Sequence, residues 1–141
     1  MTPGPPRERP LPVVTAFVLC DHVHQDPETR KLTVLGTCTK FAVTHRLPAR
    51  CEHVGVYARV SSVRGPCVFT VEMSSAADHR PVGTPAYLGE AGPSTPLQGF
   101  ELFDNYPDVG VPGPGEYLVR LCADGRPIQE VVVSFDIAEA D

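Results

Sequence analysis

The chain has 141 residues, 42% of them hydrophobic and 21% charged, with a formal net charge of −5. That is enough to build one core without help from a metal or a disulfide. Its basic residues are scattered singly apart from Arg30-Lys31, which argues against the clustered basic surface that neutralising several phosphates demands.

The apolar runs are too short for a membrane-spanning helix, and Met1–Pro10 lacks the apolar stretch of a secretory signal, so the expected location is the cytoplasm. Arg outnumbers Lys, as in high-GC bacterial genomes.

Met1–Pro12 holds five prolines and reads as a disordered or polyproline-like lead-in, leaving 13–141 as a single domain. The 16 Pro and 12 Gly lie between alternating apolar runs rather than in one block, the pattern of many short strands joined by turns. Val13–Cys20 is rich in β-branched and aromatic residues and apolar on both faces, which predicts a central strand. The polar segment Asp21–Arg30 follows as a loop. Lys31–Cys38 makes a second strand, whose Gly36 marks a bulge or a close backbone approach. Thr39–Thr44 alternates through Phe41 and Val43 and continues that strand after a bend.

Leu47–Cys51 reads as a connector, after which Val54, Val56, Ala58 and Val60 line one face of a third strand. Cys67–Met73 is a fourth, with Cys67, Phe69, Val71 and Met73 inward. The proline- and glycine-interrupted region Asp78–Pro96 leaves room only for a short edge strand around Pro85–Leu88. Leu97–Phe103 alternates again, and Asp104–Gly115 is expected to be a long loop. A closing hairpin follows. Tyr117, Val119, Leu121 and Ala123 share one face; Asp124-Gly125 turns the chain; Gln129, Val131, Val133, Phe135 and Ile137 alternate back.

About eight strands and no helical periodicity predict an all-β antiparallel β-sandwich, immunoglobulin-like or jelly-roll-like. A closed β-barrel is the alternative.

Chemistry-bearing clusters are few. Cys20, Cys38, Cys51, Cys67 and Cys122 are odd in number and lack the close pairing of a zinc site, so reduced thiols are expected. In Cys20-Asp21-His22-Val23-His24, His22 and His24 project to one side of an extended segment and are the candidate metal ligands, although two exposed histidines are the commoner outcome. Cys51-Glu52-His53 sets a thiol beside a base, with Glu52 opposing thiolate formation. Asp104-Asn105-Tyr106-Pro107-Asp108 offers oxygen ligands without the spacing of a calcium loop. No phosphate-cradling glycine loop or nucleophile elbow occurs. Tyr117 is suited to bond back across a sandwich corner.

Together, Val14–Asp21, the run Lys31-Leu32-Thr33-Val34-Leu35-Gly36, and Gly115–Leu121 followed by Asp124-Gly125 and Ile128–Phe135 resemble a family of small bacterial proteins defined only as a domain of unknown function. That resemblance implies a β-sandwich and no activity. The resulting expectation is a non-catalytic, cofactor-free, cytoplasmic protein-interaction or scaffolding domain. The alternatives are a metal-binding protein using His22 and His24, or a sandwich binding a carbohydrate or other small molecule. The expected partner is another protein, or a second copy joined through a sheet edge, with nucleic acid and membrane excluded. Phe103, Asp104, Asn105, Tyr106 and Asp108, together with the Asp21–Arg30 loop, are the expected binding surface, on the reasoning that aromatics in a stiffened loop give contact area at low entropic cost; the competing and favoured reading of Tyr106 is that it folds back onto the sheet and covers the core edge.

Overall fold

A computed structural model describes residues 10–44 and 49–137. Nine strands run through them: β1 (Val13–Gln25), β2 (Leu32–Thr37), β3 (Lys40–Val43), β4 (Ala49–Ser61), β5 (Cys67–Ser75), β6 (Pro81–Ala91), β7 (Gly99–Val111), β8 (Gly115–Ala123) and β9 (Arg126–Ile137). They form two sheets, sheet A in the order β2-β1-β4-β7 and sheet B in the order β3-β9-β8-β5-β6. The sheets pack as a sandwich, sheet B curving like half a barrel without closing, so the closed barrel is set aside.

Alternation decides which side chains meet between the sheets. From sheet A come Leu19, Val54, Val56, Ala58, Val60 and Leu102; from sheet B come Phe41, Phe69, Tyr117, Val119, Leu121, Val133 and Phe135, all in one buried cluster. Phe135 centres the aromatic part, with Phe41 stacked at 5.6 Å and Tyr117 edge-on at 5.5 Å. The expected corner is present: the Tyr117 hydroxyl donates to the Gly113 carbonyl at 2.6 Å. Gly36 has φ +68, and the Asp21 side chain lies where its Cβ would stand, so the glycine makes room for a side chain where the sequence suggested a bulge or a close backbone approach.

Several expectations are corrected. The sandwich is not wholly antiparallel, because β3 leaves β2 and pairs parallel with β9, Phe41 opposite Phe135. Only a switch of sheet carries Phe41 and Val43, both buried, into the aromatic cluster. The supposed loop after Cys20 remains strand to Gln25, since His22 to Gln25 pair with β2. The supposed edge strand around Pro85 is an edge strand of eleven residues, kept in sheet B by pairs such as Thr70 with Tyr87. The supposed loop Asp104–Gly115 is mostly strand: β7 pairs with β4 in one register from Gly99 to Val111, interrupted only at Asp108. As the edge of sheet A it tolerates Pro107, whose missing N–H costs nothing on the unpaired side. Residues 1–9 of the proline-rich lead-in and residues 47–48 of the expected connector lie outside the described residues.

Candidate functional site

The five residues expected to form a binding surface all stand on β7, and its alternation sends them to different places. Phe103 faces outward opposite Tyr57. Asp104 shares the face of Val56 and accepts the Asn105 backbone N–H at 2.8 Å. Asp108, with φ +55, accepts a hydrogen bond from Arg50 Nη1 at 2.9 Å. The two carboxylates therefore serve different partners and do not converge as calcium ligands would.

Asn105 spans three strands. Its Oδ1 accepts the Val23 N–H at 2.8 Å and its Nδ2 donates to the Val23 carbonyl at 2.9 Å. Past Cys20, opposite Gly55, β1 no longer pairs with β4, so the amide side chain supplies the peptide partner that Val23 has lost. It reaches across β4 at Gly55, where a Cβ would stand 2.8 Å from Cys20 Sγ and 3.1 Å from Asn105 Oδ1.

Tyr106 turns inward. Its ring packs on the core, and its hydroxyl donates to the Tyr87 carbonyl of β6 at 2.8 Å, bridging the facing edges of the two sheets. Beside this bridge lies an apolar cleft of about 240 Å³. Val54 and Val56 of sheet A and Val71, Met73, Val119 and Phe135 of sheet B form its walls. Val82, Gly83, Thr84 and Ala86 of β6 and Tyr106, Val109 and Gly110 of β7 complete its lining. Farther along, Leu102 lies 2.9 Å from where a Gly89 Cβ would be, and there the sheets close on each other. The cleft was not anticipated from the sequence. Its one signal is Gly83 and Pro85 inside an alternating run, since such residues within a strand mark a bulge.

The other candidate groups are spread out. His22 and His24 are exposed on β1, opposite Leu35 and Thr33, and among the described residues no three His, Cys, Asp or Glu side chains are grouped to hold a metal. Cys51 is buried, and its thiol donates to the His53 backbone carbonyl at 3.5 Å rather than to the imidazole. Burial raises its pKa, and the negative charge of Asp21 and Glu52 adds to the rise, the reverse of what a thiolate nucleophile needs. Cys122 donates to Glu72 Oε1 at 3.1 Å; burial first, then that bond, pushes its thiol up to about 12. Among the described residues no helix is long and apolar enough to cross a membrane.

Residues 15–135 match the sequence pattern of the family of unknown function DUF6941, and the chain belongs to that family. No curated protein matches it. Among solved structures it is similar to the Pseudomonas fluorescens alkylpurine DNA glycosylase AlkC bound to DNA containing an abasic site analog, at 9% identity and a TM-score of 0.49. The likeness spans 84% of this chain and 30% of that one, and at that level it carries no argument about activity.

The expectation that excluded nucleic acid is withdrawn; the matched chain is one held on DNA. Pairing of two copies through a sheet edge is withdrawn as well, for a physical reason. β2 and β3 are six and four residues long, β6 carries Pro81 and Pro85, and β7 carries Pro107 and the positive-φ Asp108. Short strands, prolines and kinks are the devices that block edge-to-edge pairing.

Proposed function

We propose that this member of a family of unknown function is a non-catalytic binding domain whose cleft between β6 and β7 takes a small, largely apolar molecule. The observation that carries this reading is the cleft itself, about 240 Å³ of apolar-walled space open at the meeting edges of the two sheets. Ligand sites are typically concave, mostly apolar and preformed. This one is small, which favours a single ring or a short acyl chain, and walls of Val, Met and Phe suit such a body better than a carbohydrate.

The surroundings favour binding over catalysis. Burial holds the Tyr106 phenol well above its ordinary pKa, and its hydroxyl is engaged by Tyr87, so it offers no base at neutral pH. The unlinked thiols of Cys20, Cys38, Cys51 and Cys122 suit a reducing compartment such as the cytoplasm.

Toluene is the test ligand, titrated into the full chain and followed by amide chemical shifts and thermal melting. Saturable shifts at Val56, Val119 and Gly110 are expected, with added stability of about 1.4 kcal/mol for each tenfold excess over Kd. Ala86→Phe, which fills the cleft, should abolish both. Absence of saturable shifts up to the solubility limit of toluene would sink the reading.

A further inference from the structure

On the outer face of sheet B, Ser74 is only 6% exposed, and its hydroxyl has no hydrogen-bond partner among the described residues. Buried hydroxyls are nearly always paired, so one left alone marks a place where a partner belongs. Ser74 lines a recess of about 90 Å³ together with Glu72, His79, Pro81 and Arg120.

This recess and the apolar cleft lie against the same stretch of β5 and β6. Both are lined by Met73 and Gly83, and the strand pairing explains why. Val71 pairs with Ala86 and Met73 with Val82, so Gly83, Thr84 and Pro85 of β6 all oppose Glu72 alone. The ladder is interrupted there by a bulge. Gly83 sits at φ +68 with no atom within 4 Å of the place a Cβ would take. The two spaces thus flank one bulge of sheet B, apolar on the inner side and polar on the outer.

Arg120 and Glu72 of the recess already have partners. Arg120 Nε donates to Glu130 Oε2 at 2.7 Å, and Glu72 accepts from the Cys122 thiol. The unmet requirement is that of a neutral hydroxyl, and Glu72 in the lining, with Arg120 already paired to Glu130, disfavours an anion. We propose that the recess is a head-group subsite continuous with the cleft. The molecule whose apolar body fills the cleft ends in a neutral alcohol, which exchanges a hydrogen bond with Ser74. This inference rests on the cleft reading above and adds the chemical class of the ligand.

Hexan-1-ol and toluene separate the two claims, each titrated into the full chain as wild type and as Ser74→Ala. Hexan-1-ol should shift the Ser74 amide as well as those of the cleft, whereas toluene shifts the cleft alone. Ser74→Ala should weaken hexan-1-ol by between about two- and tenfold, the worth of one neutral hydrogen bond, and leave toluene unchanged. The variant removes only an unpaired hydroxyl, so its amide spectrum and melting temperature should match or exceed those of the wild type. Equal hexan-1-ol affinity in both proteins, or no shift at Ser74, overturns the subsite and leaves the recess to water, while toluene binding keeps the cleft. Failure of both probes in the wild type overturns the cleft reading and this inference with it.

Discussion

At the scale of single residues, Asn105 and Gly55 act as a pair. One supplies two hydrogen bonds to Val23, which is 2% exposed; the other leaves room for the amide to pass. Asn105→Ala strands a buried donor and a buried acceptor, and a loss of roughly 2–4 kcal/mol is expected in urea unfolding, from about 1–3 kcal/mol per unpaired group partly relieved by water. Val23 amide exchange should accelerate in the same variant, and unchanged exchange would show that β1 is held there by something else. Gly55→Ala should cost about 1–3 kcal/mol by overpacking against Cys20 and Asn105. Tyr57 gives a pH signature. Its hydroxyl donates to Glu101 Oε2 at 2.6 Å, and burial first, then Glu101, lifts its pKa from 10 to about 12. The protonated phenol is favoured by folding, so its contribution is complete below pH 10 and is lost as pH rises toward 12. Urea midpoints measured from pH 9 to 12 should fall over that window, and Tyr57→Phe should flatten the fall.

At the scale of elements, the β8–β9 hairpin and β7 show what local sequence reveals and what it hides. Asp124 and Gly125 have φ +47 and +82, the double positive φ of a type I′ turn that matches strand twist. Asp124 also ties the turn to β5, its Oδ1 accepting the Val68 N–H at 2.9 Å. Gly125→Val should therefore cost about 1–3 kcal/mol in thermal unfolding, through strain at a position favouring glycine. A variant as stable as the wild type would mean the turn relaxes into another type. This hairpin was legible because turn chemistry and alternation lie side by side in the chain. The far half of β7 was not, since Asp104 on the inner face and Pro107 on the edge break the alternation that marks a strand, and only its partner β4 restores the pattern. For the same reason Asn105 and Tyr106 stood out as residues with a task, but the task of Asn105 is to clamp Val23 and that of Tyr106 to bridge to β6. The cleft depends on β6 meeting β7, a juxtaposition written in neither strand.

At the scale of the whole molecule, stability rests on the cluster shared by the two sheets. Phe135 is 1% exposed and Leu121 0%, so either residue replaced by Ala should cost about 2–5 kcal/mol through lost transfer energy and the cavity left behind. A melting temperature within error of the wild type would refute that placement. The same cluster depends on a pairing distant in sequence: β3 lies beside β9, Lys40 opposite Ser134 and Val43 opposite Ile137. Contacts between such distant segments form slowly, because loop closure must come before they contribute anything. During translation β9 is the last of the nine strands to emerge. Until it does, Phe41 has no ring to stack on and the inner face of β8 has no neighbour on that side. The nascent chain therefore carries an unpaired edge on β8 and an incomplete core until its last strand is made, a state open to misassembly and to chaperone capture.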